Sequence, residues 1–190
     1  MKKLNIMVDI DNTVCDTAKA MLDIINNKYG THFVADDINQ WKCVLKNPND
    51  GTLISYTKEL FIAYDTPGFL TSIPPISGAQ GGIKRLRDSG HNITMLTGRS
   101  PKYAEDTKVW MDTFIARDIP IIHATEKKFK YMDGFDLIFD DAPDEVISIY
   151  QNGGKAVLMK QPWNWMVPFH HAKRVNDWAE FLQLIRFENF

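Results

Sequence analysis

Residues 4–14 read LNIMVDIDNTV: an apolar run from Leu4 to Val8, then Asp9, Ile10, Asp11, Asn12, Thr13 and Val14. A short apolar run of this kind fits a strand buried on both faces. Two carboxylates begin where it stops. Isolated buried charge costs many kcal/mol, so the acids belong at the strand's end rather than inside the core. Four further runs share the pattern: Asn92 to Leu96 (NITML), Pro120 to Ile122 (PII), Asp136 to Phe139 (DLIF) and Ala156 to Met159 (AVLM).

Helical patterns lie between them. Ala18, Met21, Leu22, Ile25 and Tyr29 recur at helical spacing before Gly30, a stop signal. Tyr103, Thr107, Trp110, Met111, Phe114 and Ile115 repeat the pattern after Pro101. Strands alternating with helices predict an α/β fold, a three-layer Rossmann-like parallel sheet with helices on both faces. One segment breaks the rhythm. Thr31 to Pro75 holds polar stretches, the turn-rich NPNDG (47–51) and one helical pattern from Ser55 to Tyr64. Residues 16–75 therefore read as a small helical cap inserted after the first strand, and residues 1–15 and 76–190 as the core.

Composition narrows the class. The 190 residues carry 22 basic and 24 acidic side chains, a formal charge of −2, with 44% hydrophobic residues. That content excludes a mainly disordered chain. The near-zero charge argues against extended nucleic acid as a partner. Two cysteines, Cys15 and Cys43, make no disulfide framework or zinc spacing. The N-terminus lacks signal-peptide character and no apolar stretch approaches membrane-spanning length, so the expected location is cytoplasmic.

Four strand ends carry the candidate chemistry. In an open parallel sheet, ligands bind at the carboxyl ends of strands. Asp9 and Asp11 together call for a hard cation such as Mg²⁺; a helix cap near Asn12 would account for one acid, not both. Thr97, Gly98 and Arg99 follow the second strand, where a hydroxyl, a backbone amide and a guanidinium can hold phosphate oxygens. Alone, a Thr-Gly pair is most often a turn. Glu126-Lys127-Lys128-Phe129-Lys130 could be a solvated surface, or could supply a cation to a phosphate. Asp140 and Asp141 end the fourth run and offer further oxygen ligands. Asp144 and Glu145 suit the start of a helix after Pro143.

In chain order the four ends read DxD, Thr, Lys and DD, and this arrangement resembles the haloacid dehalogenase-like phosphohydrolase superfamily. The stretch TPGFLTSIPPISGAQGGIKRL (66–86), QPWN (161–164) and NDWAEF (176–181) are similar to the 5′(3′)-deoxyribonucleotidases. The resemblance implies a Mg²⁺-dependent phosphomonoesterase acting on nucleoside monophosphates. Asp9 would be the nucleophile that forms an aspartyl-phosphate. Asp11 would be general acid and base, with a pKa above that of an exposed Asp. Asp9, the Asp11 carbonyl and Asp140 or Asp141 would hold the metal, and Thr97 with a lysine the phosphate. Lys128 is the preferred lysine, with Lys127 and Lys130 as alternatives.

The resemblance also implies base stacking from the cap, for which Trp41 is the first candidate and Phe33 the second. The alternative for Trp41 is a place in the cap's own core. Thr17 could face the substrate. Trp163 and Trp165 are expected to pin the C-terminal segment, His170 and His171 to lie at the surface, and Cys15 to pack. A cap of this kind can contribute to a homodimer surface. Two other readings compete: a phosphatase for nucleic-acid 3′ ends or sugar phosphates, and a phosphoacceptor receiver module. The second acid at Asp11 and the long insertion argue against a receiver.

Overall fold

A computed structural model describes residues 2–40, 42–168 and 170–187. In chain order the elements are β1 (Asn5–Val8), α1 (Thr17–Tyr29), β2 (Val44–Lys46), β3 (Leu53–Ser55), α2 (Tyr56–Tyr64), α3 (Phe69–Ser72) and α4 (Ala79–Asp88). Then follow β4 (Asn92–Thr97), α5 (Ala104–Phe114), β5 (Ile121–His123), β6 (Leu137–Asp140), α6 (Pro143–Gln151), β7 (Ala156–Met159), β8 (Lys173–Val175) and α7 (Trp178–Phe187). Six strands form one parallel sheet in the order β5-β4-β1-β6-β7-β8. The chain grows from β1 to one side through β4 and β5, then crosses to the other side for β6. That reversal puts a crevice at the carboxyl end of β1, between β4 and β6.

Alternation along the strands divides the core into two layers. Ile6, Val8, Leu137, Phe139, Val157 and Met159 join one cluster with Ile83 and Leu86 of α4, Trp110 of α5, and Trp178 and Phe181 of α7. Met7, Leu96, Ile138 and Leu158 join the other, with Val146 and Ile149 of α6. Strands buried on both faces need no polar side, which is why their sequence reads as continuous apolar runs. The α4–α7 contact is close: a Cβ on Gly82 would lie 2.3 Å from Cε3 of Trp178.

The segment between β1 and α4 holds α1, α2 and α3, and also an antiparallel hairpin, β2–β3, that the sequence reading did not anticipate. Leu45 and Ile54 pair inward and are buried, while Val44 and Leu53 face outward. Gly30 ends α1 in the left-handed conformation, at φ 63°. Buried Glu59 of α2 ties the helices by accepting from Lys28 Nζ at 2.8 Å and the Tyr29 hydroxyl at 2.7 Å. Asp65 joins this segment to the core, accepting from Lys102 Nζ at 2.7 Å and the Tyr103 hydroxyl at 2.8 Å. Among the described residues no helix is long and apolar enough to cross a membrane.

Candidate active site

The residues singled out at four strand ends gather at the carboxyl edge around β1. Asp9 N–H donates to the Phe139 carbonyl at 2.9 Å, which continues the β1–β6 ladder one residue beyond the strand. Asp9, Asp140 and Asp141 are all buried, and one carboxylate oxygen from each lies within 4.8 Å of the others. Lys128 enters from a 3₁₀ turn after β5. Its Nζ donates to Asp9 Oδ1 at 2.6 Å and to Asp140 Oδ2 at 2.7 Å. Lys127 and Lys130 instead pair at the surface with Glu145 and Glu126. Glu145 also accepts from the Lys128 backbone N–H at 2.9 Å, which seats the turn.

Three acids against one amine leave an excess of negative charge. Burial, reinforced by Asp140 and Asp11, pushes the Asp9 carboxyl up to about 7 despite Lys128. Burial and the charges of Asp9 and Asp140 raise Asp141 well above the usual carboxylate range. Burial alone would lower Lys128, but Asp140 and Asp9 hold its ammonium above the ordinary lysine value. Lys128 stays charged. Asp140 uses both oxygens within the protein, Oδ1 accepting from Ala142 N–H at 2.9 Å. Among the described residues Asp9 and Asp141 each keep one oxygen without a hydrogen bond: Asp9 uses Oδ1 for Lys128, and Asp141 uses Oδ2 for the Trp163 indole at 2.8 Å. Hard oxygen donors whose ionisation needs one more cation fit a divalent ion such as Mg²⁺.

Asp11 points elsewhere. Arg99 grips it with a fork, Nε to Oδ2 at 2.9 Å and Nη2 to Oδ1 at 2.8 Å, and the Thr17 hydroxyl donates to Oδ1 at 2.5 Å. Burial acts to raise Asp11, but the Arg99 charge and its hydrogen bonds, with those of Thr17 and Tyr64, hold it below the ordinary value. This corrects the expectation of an elevated pKa: a forked, buried guanidinium outweighs desolvation. The carboxylate of Asp11 stands outside the three-acid group. Burial and the Asp11 charge raise the Cys15 thiol, so it remains protonated while contacting Thr17 and Arg99 at 3.2 Å.

Thr97 is fully buried at the end of β4, its hydroxyl accepting from Arg99 N–H at 3.1 Å, and Gly98 is exposed beside it. Arg99, singled out as a phosphate contact, is 2% exposed and commits its guanidinium to Asp11, Thr107 and Cys15. Trp41 lies outside the described residues. Phe33 is half-buried against the main core cluster. Trp165 is 68% exposed, so it does not pin the C-terminal segment; Trp163, Trp178 and Asn164 do. His171 is half-buried with its ring 4.4 Å from that of Tyr150, whereas His170 is exposed.

Several residues that the sequence reading left without a role close the site. Trp178 Nε1 donates to the Thr13 carbonyl at 2.8 Å, and Gln161 Nε2 to the Asn12 carbonyl at 2.9 Å. Asn12 turns the chain after Asp11 with φ 57°, outside glycine's usual monopoly of that region. Its Nδ2 and the Thr13 hydroxyl are buried without partners among the described residues. Asn164 Nδ2 donates to the carbonyls of Asp141 and Met159, both at 2.8 Å.

Comparison with known proteins gives the same picture. A family model described as 5′ nucleotidase, deoxy (pyrimidine), cytosolic type C matches residues 2–189. The nucleotidase-like protein OB0422 of Oceanobacillus iheyensis is 27% identical over 124 residues, spanning 60% of this chain and 63% of that protein, just under two thirds of its length. In fold, the chain is similar to the haloacid dehalogenase-like protein SP0104 of Streptococcus pneumoniae, with TM-score 0.64, 10% identity, and 96% and 98% of the two chains covered. It is also similar to a phosphatase-class protein of Clostridium acetobutylicum, at TM-score 0.67, 14% identity, and 97% and 99% coverage. A haloacid dehalogenase family hydrolase of Deinococcus radiodurans, solved with bound phosphate and sodium, matches at TM-score 0.62, 12% identity, and 94% and 93% coverage.

Proposed function

The chain belongs to the family of 5′ nucleotidases, deoxy (pyrimidine), cytosolic type C, which are phosphoric monoester hydrolases; from that premise we propose that it hydrolyses deoxyribonucleoside and ribonucleoside monophosphates through an aspartyl-phosphate on Asp9. The observation that carries this reading is the gathering of Asp9, Asp140, Asp141 and Lys128 at one buried edge, with Asp11 two residues beyond the nucleophile.

Asp9 attacks phosphorus, and the bond to the ester oxygen breaks. Covalent capture splits one hard displacement into two easier ones. Lys128, fixed between two carboxylates, has a third proton to offer an equatorial phosphate oxygen, and the Thr97 hydroxyl can donate beside it. Asp11 gives the departing oxygen its proton and then takes one from the water that attacks phosphorus, which breaks the bond to Asp9 and releases phosphate. Arg99 keeps Asp11 ionised in the substrate-free protein, so Asp11 must take up a proton from solvent as substrate binds before it can act as the acid. Asp9 and Asp141 would hold a divalent ion, most simply Mg²⁺, which would neutralise charge on the transferring phosphoryl group. The free oxygens of those two side chains favour Asp141 over Asp140 as the direct ligand.

The family description supports trying pyrimidine deoxynucleotides first. The test is steady-state phosphate release with Mg²⁺ from a panel of deoxynucleoside and ribonucleoside monophosphates, sugar phosphates and 3′-phosphorylated oligonucleotides. Preference for nucleoside monophosphates is expected. Faster turnover of either of the other classes would overturn the substrate assignment, and absence of multiple turnover on every class would overturn hydrolysis. Borohydride trapping of a labile phosphoryl group, lost in Asp9→Asn, tests the intermediate.

A further inference from the structure

We propose that Trp163 is a positioning residue for the divalent cation, setting its affinity by fixing which oxygen of Asp141 is free; this rests on the metal-holding reading above. Trp163 is 4% exposed, and its indole Nε1–H donates to Asp141 Oδ2 at 2.8 Å. An indole N–H is only a donor, so it occupies Oδ2 and restrains rotation of the carboxylate, with Oδ1 left unengaged among the described residues. Asp141 has no other side-chain hydrogen bond among the described residues.

The surrounding turn supports the same task. Asn164, fully buried, donates to the Asp141 carbonyl and accepts from Gln161 N–H at 3.0 Å. Gln161 reaches the Asn12 carbonyl on the other acid-bearing turn. One four-residue stretch, 161–164, therefore touches both acid-bearing turns: the one after β1, at Asn12, through Gln161, and Asp141 through Trp163 and Asn164. Partners that orient metal-ligating carboxylates commonly change affinity by about 10–100-fold when removed.

The test is calorimetric Mg²⁺ titration of the substrate-free protein, comparing wild type, Trp163→Phe and, as a control, exposed Trp165→Phe. Trp163→Phe keeps the ring and deletes the donor. The expected result is a Kd for Mg²⁺ about 10–100-fold weaker in Trp163→Phe and unchanged in Trp165→Phe. In turnover assays the Mg²⁺ concentration for half-maximal rate should rise by the same factor, while kcat at saturating Mg²⁺ falls far less. A folded Trp163→Phe protein with wild-type Mg²⁺ affinity overturns the inference. Wild-type protein that fails to bind Mg²⁺ overturns the metal reading itself, and the inference with it. If Trp163→Phe does not fold, the assigned ¹⁵N indole resonance of Trp163 in wild type carries the test: it should shift along the Mg²⁺ binding curve, and an unmoved resonance overturns the inference.

Discussion

Asp9 and Asp11 stand two residues apart in sequence yet meet opposite surroundings. Asp9 shares its space with two more carboxylates and a single ammonium, and its carboxyl rises to about 7. Asp11 faces a forked guanidinium and a hydroxyl, and its carboxyl drops. Burial opposes ionisation in both places; the local count of charges decides the outcome. The side with unbalanced acids is the side suited to a cation. On the other side the pair is complete, and Arg99 holds the Asp11 carboxylate ionised.

That contrast can be broken in order of expected effect. Asp9→Asn removes the proposed nucleophile and should cut phosphate release by about 10³-fold or more, with circular dichroism unchanged. Turnover near wild type would reassign the attack. Lys128→Met and Arg99→Met each strip the cation from buried acids and should cost about 3–5 kcal/mol of unfolding free energy. Denaturant curves with and without Mg²⁺ then separate the two sides. Added Mg²⁺ should restore part of the loss in Lys128→Met and little in Arg99→Met, and equal rescue would erase the distinction.

The sign of the pH dependence follows from the raised carboxyl of Asp9. Between pH 3.8, the ordinary Asp value, and about 7 the folded, metal-free protein carries a proton there that an unfolded chain would already have released. Mg²⁺ must expel it, so affinity should weaken as pH falls from 8 to 6, with proton release measurable in weakly buffered solution. By the same linkage, Asp9 favours the folded metal-free protein at low pH, and that contribution is lost as pH rises toward 7. Asp11, with its lowered carboxyl, contributes stability that is lost in acid. The smallest effect is expected from Thr17→Val, which deletes one hydroxyl from Asp11 and should cost about 1.5 kcal/mol. A loss of Mg²⁺ affinity in that variant would join the two sides after all.

What could be read from the sequence was whatever a strand end makes local. An apolar run that stops at Asp9, Thr97 or Asp140 marks both the strand and its carboxyl edge, because burial on two faces forbids polar residues until the strand is over. Strand β8 was illegible for the complementary reason: Lys173 and Arg174 sit on a sheet edge, where charge is tolerated and discourages further pairing. The β2–β3 hairpin has three residues per strand, too few for a period to show. Sequence favours Lys128 but leaves Lys127 and Lys130 open, since the rotation of a short turn decides which lysine points inward. Arg99 was read as a phosphate contact because spacing says nothing about which neighbouring anion a guanidinium will meet. Trp163, Gln161 and Asn164 act across more than 20 residues, or on backbone carbonyls, and leave no local pattern.

The bond from Trp178 to the Thr13 carbonyl spans 165 residues, and that from Gln161 to Asn12 spans 149. The turn that carries Asp9 and Asp11 is therefore braced only after residues 161 and 178 have folded back onto it. Contacts of such sequence separation are slow to form, so this corner of the sheet is expected to be among the last parts of the fold to become fixed.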